Sequence, residues 1–287
     1  MRLDKNVAVG NGYLKFKDFR SFVKKNSFIT TIELSNNGEI FLNPELLNII
    51  KYAHENGIEL FAKNGVNFNM VSDEMLEALV KYRFKFLSIS IDGASQEIYV
   101  KYRQNGDFDT VISNIHKLIE YKQKHDSEFP AIRWQYILMR HNECEVIKAK
   151  TLAKKLNVSM KFKRTWEKGY IPNDPEMLKR ETGLKYLSVE EFAESESQEY
   201  STSTCYQLWD LPAINWDGRL LGCCRLYTDD FGVNVFEVGL EKALNSKRIC
   251  DAKKILCGGK VPSDCDTPCL YCKKYALMVK NNNFIKK

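Results

Sequence analysis

Between Phe28 and Phe162 the chain alternates short β-prone runs with amphipathic helices, and few folds accept that order. The β-prone runs are 28–35, 58–62, 84–91, 132–139 and 158–162. Between them, apolar residues recur at helical spacing: Leu46, Leu47, Ile50 and Ala53; Met75, Leu76, Leu79 and Val80; Val111, Ile115 and Leu118; Val146, Ala149 and Ala153. Polar turns separate the segments, including Asn36-Asn37-Gly38-Glu39, Asn64-Gly65 and Asp92-Gly93. Strands that alternate with helices are joined by crossovers, so this stretch predicts a parallel sheet. Ser72 predicts a helix cap, and Asn142 with Glu145 three residues on predicts a capping box.

An amphipathic helix over 15–26 (Phe16, Phe19, Phe22, Val23) precedes the first strand with no strand before it. After the last strand, 164–204 holds Pro172, Asp174-Pro175 and an acidic run through Glu190, Glu191, Glu194 and Glu196, which reads as a linker. The stretch 276–287 is Lys- and Asn-rich and reads as a flexible basic tail.

Eight of the nine cysteines lie between Cys205 and Cys272; the other is Cys144, to which a structural role is given. No apolar N-terminal stretch reads as a secretory signal, so a reducing, cytoplasmic setting is expected. Clustered thiols there bind metal or do redox work more often than they form disulfides. Cys269-Leu-Tyr-Cys272 closes two thiolates on one centre, and the Asp217-Gly218 turn predicts a hairpin that returns Cys223 beside Cys205. Cys205, Cys223, Cys269 and Cys272 are the expected metal ligands, with Cys224 and Cys265 open as replacements for one of them. Zinc and a 4Fe–4S cluster both accept four thiolates.

In parallel α/β folds ligands bind at the carboxyl ends of the strands. Gly38, Glu39, Ser90 and Asp92 sit there. Ser88, Ser90 and Asp92 share strand parity, hence one face.

With 287 residues, 44% hydrophobic and 28% charged, the composition is that of an ordinary globular chain. No apolar run approaches the roughly 20 residues that span a bilayer. The net charge of +6 is spread along the chain, so neither a membrane nor a nucleic-acid footprint is expected.

Leu34 to Glu45 resembles the glycine–glutamate segment after the second strand of radical S-adenosylmethionine enzymes. Ser88-Ile-Ser-Ile-Asp-Gly-Ala94 with Tyr102-Arg103 is similar to that family's fourth strand and the helix after it, and Asn64-Gly65 to the end of its third. The C-terminal cysteines resemble its accessory SPASM or twitch module. The resemblance implies a partial (β/α)6 TIM-like barrel over 1–163 that lacks its first strand, the linker 164–204, an iron–sulfur SPASM/twitch domain over 205–275, and the tail. It also implies that Gly38 and Glu39 meet the methionine amine of S-adenosylmethionine, that Ser90 and Asp92 lie near its ribose, and that Arg103 lies close by.

The implied chemistry is one-electron cleavage of S-adenosylmethionine to a 5′-deoxyadenosyl radical, which abstracts hydrogen from a peptide or small-molecule substrate. Flavodoxin or ferredoxin would donate the electron. The family's N-terminal C-x3-C-x2-C is missing: no cysteine precedes Cys144. Cys265-x3-Cys269-x2-Cys272 has that spacing but sits at the wrong end, inside the accessory module. The expectation is a radical enzyme read from too late a start, inactive as written, with one accessory 4Fe–4S cluster. S-adenosylmethionine and a second cluster are expected only with the missing segment. The alternative is a noncatalytic iron–sulfur or zinc-binding interaction protein with a decayed barrel.

Overall fold

Alternation of apolar and polar residues in the β-prone runs makes two-faced strands, and all five appear in the computed structural model. It describes residues 9–199, 204–224 and 228–286, with 195–199 by backbone alone. Four pieces of the expected segments, 1–8, 200–203 of the linker, 225–227 of the cysteine-rich domain and Lys287 of the tail, lie outside the described residues. The chain forms two units: Thr30–Glu194, and Met1–Ile29 together with Ser195–Lys287.

Helix α1 (Phe16–Lys25) comes first. The Thr30–Glu194 unit then runs β1 (Thr31–Glu33), α2 (Leu46–Glu55), β2 (Glu59–Val66), α3 (Asp73–Lys81), β3 (Phe86–Ser90), α4 (Gln96–Tyr102), α5 (Phe108–Lys124), β4 (Ala131–Leu138), α6 (Val146–Lys155) and β5 (Ser159–Arg164). The strands pair in parallel in the order β1-β2-β3-β4-β5. Sequential parallel order with helical crossovers makes an α/β fold with a five-stranded parallel sheet among the described residues, consistent with part of a TIM-like fold.

Register fixes two unlike faces. Ile32 lies opposite Leu60, Ala62 opposite Leu87, Leu87 opposite Ile132 and Trp134 opposite Met160. On this face Leu60, Ala62, Leu87, Ile89, Trp134 and Tyr136 are buried, as are Ile49, Leu76 and Ile115 of the helices. Each buried Leu or Ile among them contributes about 1.5–3 kcal/mol of burial. The other face carries Phe61, Ser88, Arg133, Gln135, Lys161 and Lys163. Ser72 caps α3 through Met75 N at 3.2 Å, as its sequence predicts.

Three expectations change. Asn142 forms no capping box: its Oδ1 accepts from Met139 N at 2.8 Å and its Nδ2 donates to Ile137 O and Asp92 O. The buried amide gains more from tying loops than from a helix end, and Glu145 instead accepts from Ala94 N at 2.6 Å. The stretch 164–204 is no plain linker. It carries α7 (Pro175–Thr182), capped by Asp174, and α8 (Val189–Glu199), and its Tyr170, Leu178 and Leu187 form a core with Leu138 and Val146. Cys144, given a structural role, is exposed in the 3-10 turn Glu143–Glu145.

In the second unit α1 packs on the cysteine-rich region. Phe22 meets Phe236 edge-on at 6.1 Å, and Lys25 Nζ donates to Phe236 O at 3.1 Å. Asn26 Oδ1 accepts from Leu240 N, and Val9 O accepts from Asn215 Nδ2 and Trp216 Nε1. The remaining helices are α9 (Gln207–Asp210), α10 (Val235–Val238), α11 (Leu240–Leu244), α12 (Lys247–Leu256) and α13 (Lys273–Lys280). The expected tail is therefore helical as far as Lys280, and beyond it Ile285 N donates to Leu256 O at 3.0 Å. Among the described residues no helix is long and apolar enough to cross a membrane.

Candidate functional site

The polar turns after the strands bring several expected residues to one end of the sheet. Gly38 has φ +79°, and a Cβ there would meet nothing within 4 Å, so glycine serves the turn and leaves its backbone approachable. Glu39, next to it, accepts from Phe41 N at 3.2 Å and Asn67 N at 2.6 Å, fastening the loop after β1 to the end of β2. Burial pushes its carboxyl above the ordinary range; those N–H groups and the Arg103 charge pull it partly back.

Asp92 lies just past β3 and is fully buried. Its Oδ2 accepts from Arg103 Nε at 2.7 Å and Nη2 at 2.6 Å, and its Oδ1 accepts from Ile137 N at 2.7 Å. Burial raises this carboxyl too, against the pull of Arg103 and the Ile137 N–H. Asp92 and Arg103 are thus brought together, but bonded to each other. Ser90 Oγ faces Gln135 Nε2 at 3.4 Å, and a Cβ at Gly65 would stand 2.4 Å from that oxygen. Surface cavities of about 390 and 290 Å³ lie elsewhere, beside Lys154 and Met160 and beside Asp73 and Lys117.

Sequence reading missed the cations on this polar face. Lys63, Arg133, Lys161 and Lys163 are up to 100 positions apart, and only strand register gathers them. The Lys161-x-Lys163 alternation in β5 was the available signal.

The cysteine-rich unit is built on the predicted hairpin. Gly218 turns at φ +90°, and Ile214 bridges Leu220 antiparallel. Cys269, at 8% exposure, follows the fully buried Thr267. Its thiol is pushed up to about 12, first by burial, then by the nearby sulfurs of Cys272, Cys205 and Cys223. These are the three partners expected for it. Cys265 has other company: burial and the charges of Asp251, Asp264 and Asp266 raise its thiol, with Lys247 opposing.

The donor chemistry of the four thiols fits a tetrathiolate centre. So does Thr267 Oγ1, a buried hydroxyl without a well-formed hydrogen bond that favours Cys269 ionisation. Among the described residues, however, no three His, Cys, Asp or Glu side chains are grouped closely enough to hold one metal ion. The thiols are therefore neighbours, not a closed ligand shell.

No family model matches the chain, and no curated protein matches it. Among solved structures it is similar to SuiB of Streptococcus suis, at 12% identity and TM-score 0.59 over 95% of this chain and 70% of SuiB. It is equally similar to SuiB bound to its precursor peptide SuiA, at 14% identity and TM-score 0.59 over 96% and 69% of the two chains. At such identity the likeness shows a shared fold.

Proposed function

We propose that this chain is a radical S-adenosylmethionine-type protein with an accessory SPASM/twitch module, acting on a peptide. The observation that carries the reading is the setting of Cys269: its thiol is raised by burial and then by the charges of Cys272, three residues on, and of Cys205 and Cys223, which are distant in sequence. A chain that holds a parallel α/β sheet and a cysteine-rich unit is the layout that the resemblance implies. The fold shared with SuiB, a protein also solved with a precursor peptide, favours a peptide over a small molecule.

Cys205, Cys223, Cys269 and Cys272 would hold a 4Fe–4S cluster, which supplies an electron-transfer centre. Flavodoxin or ferredoxin would be the donor. Gly38 would offer an open backbone to S-adenosylmethionine. Glu39 would hold the loop and receive the amine. Asp92 would act through Arg103, whose charge it fixes, and Ser90 would line the floor with Gln135. The family's radical cleavage needs a second cluster on a C-x3-C-x2-C preceding the sheet, which these 287 residues lack.

A second reading has its own support. Both Asp92 oxygens are taken by the chain itself, as expected of a decayed nucleotide site in a noncatalytic iron–sulfur or zinc-binding interaction protein.

Release of 5′-deoxyadenosine after anaerobic reconstitution and dithionite reduction tests the choice. Residues 1–287 should release none, and a chain supplied with the C-x3-C-x2-C segment should release it. No release from the longer chain would favour the second reading. Release from 1–287 would make Cys265, Cys269 and Cys272 the catalytic ligands.

A further inference from the structure

The polar face of β2 to β5 differs from the apolar face in one respect beyond polarity: cations outnumber carboxylates on it. Register places Ser88 opposite Arg133, Ser90 opposite Gln135, Gln135 opposite Lys161 and Ile137 opposite Lys163. Arg133, Lys161 and Lys163 therefore share one face of adjacent strands. Lys63 joins them, because its carbonyl accepts from Arg133 Nη2 at 2.9 Å. Lys63 Nζ lies 4.0 Å over the Phe61 ring and Arg133 lies 4.6 Å over Phe86, so two of the cations are held upright on aromatic faces.

Two carboxylates lie on this face, both bonded within the chain, and the charge of Glu33 also acts on Arg133. Glu33 accepts from Ser35 and from Lys63 N, and Glu59 pairs with Lys85 at 2.9 Å. Asp92, the acid nearest Lys163, is bonded to Arg103. Among the described residues the four cations form no ion pair with an acidic side chain. Burial, then the Lys161 and Arg133 charges, lowers the Lys163 ammonium, so it stands half-buried among like charges. Like charges crowded on a fold are unfavourable unless something of opposite sign meets them.

We propose that the face formed by Lys63, Arg133, Lys161 and Lys163 receives an acidic segment of the peptide substrate. Carboxylates two residues apart on an extended chain are spaced by about 6.6–6.8 Å, the repeat of Lys161 and Lys163 along β5. Beneath the cations, buried Ser88, Ser90 and Gln135 bond one another and Arg133, which fixes the polar floor of the face. This rests on the peptide reading above and adds the substrate's charge.

The test is fluorescence anisotropy of the full chain with three labelled peptides, alternating Asp-Gly, Ser-Gly and Lys-Gly. It needs neither cluster nor nucleotide, so its failure is separable from failure of the radical reading. The Asp-Gly peptide should bind tightest and weaken as salt rises. Lys161→Gln with Lys163→Gln should weaken it by about ten-fold or more, with an unchanged circular-dichroism spectrum and urea midpoint. Should the pair of glutamines unfold the chain, Lys161→Gln alone, at the exposed position, replaces them and must still weaken binding. Equal binding of the three peptides, undiminished binding by folded variants, or preference for a single-stranded oligonucleotide over the Asp-Gly peptide would overturn the proposal.

Discussion

Arg103 reaches a single oxygen of Asp92 with two nitrogens, Nε at 2.7 Å and Nη2 at 2.6 Å, from the residue that ends α4. Because Asp92 also takes the Ile137 N–H, one buried carboxylate joins the end of β3, the wall of β4 and the end of α4. Its work is to set the geometry of the strand ends.

Removing Arg103 leaves that carboxylate buried and unpaired. Arg103→Met should cost up to about 3–5 kcal/mol at neutral pH. Its pH dependence has a definite sign. Burial already holds the folded carboxyl above its ordinary value of 3.8, and loss of Arg103 raises it further. Between the unfolded and folded values the folded state binds the extra proton, so the variant should gain stability relative to wild type as pH falls through that window. Urea midpoints at about pH 7.5 and about pH 5 measure it. A deficit independent of pH would show that Asp92 does not titrate there.

Glu39→Gln removes a charge that burial disfavours while keeping a carbonyl oxygen for the Asn67 N–H. A carboxyl raised on folding destabilises the native state above its unfolded value, so the variant's melting temperature at neutral pH should equal or exceed wild type's. In the same variant S-adenosylmethionine should bind about ten-fold more weakly by calorimetry, since a charge-assisted bond to the amine is lost. Undiminished nucleotide affinity would remove Glu39 from that role.

Two glycines at strand ends should respond differently to alanine. Both have positive φ, +117° at Gly65 and +79° at Gly38. A Cβ at Gly65 also collides with Ser90 Oγ at 2.4 Å and Gln135 Nε2 at 2.8 Å, whereas one at Gly38 meets nothing. Gly65→Ala should therefore cost about 1–3 kcal/mol more than Gly38→Ala in urea unfolding. Equal losses would mean that backbone conformation alone decides.

The sheet was legible in the sequence because hydrophobic periodicity reports an element's own faces, and the predicted run 132–139 falls within one residue of Ala131–Leu138 at each end. The destination of α1 was not legible. Phe19 and Phe22 announce a buried face but carry no address, and the partner Phe236 is more than 200 residues away. The linker failed for a related reason: Pro and acidic residues mark turns and solvated faces, while Leu178 and Leu187, set among polar and charged neighbours, carry the packing with Met177 and Leu184. The cysteine hairpin was readable from Asp217-Gly218. That Asp92 and Arg103 bond each other, and that β5 lines up lysines with Arg133, depends on register, which no local pattern encodes.

In the metal-free chain the cysteines should separate by reactivity. Cys269 is buried, and its thiol, raised to about 12, is almost wholly protonated at neutral pH; Cys144 and Cys250 are exposed. Alkylation by iodoacetamide followed by mass mapping should find Cys144 and Cys250 labelled first and Cys269 last, with Cys269 labelling rising as pH rises. Early labelling of Cys269 would place it outside the group.

The most direct measurement of the central claim is iron and acid-labile sulfide per chain after anaerobic reconstitution of residues 1–287. The account predicts about four of each, as one 4Fe–4S cluster requires, retained in Cys144→Ala and lost in Cys272→Ala. Stoichiometric zinc without iron, or full iron loading in Cys272→Ala, would contradict it.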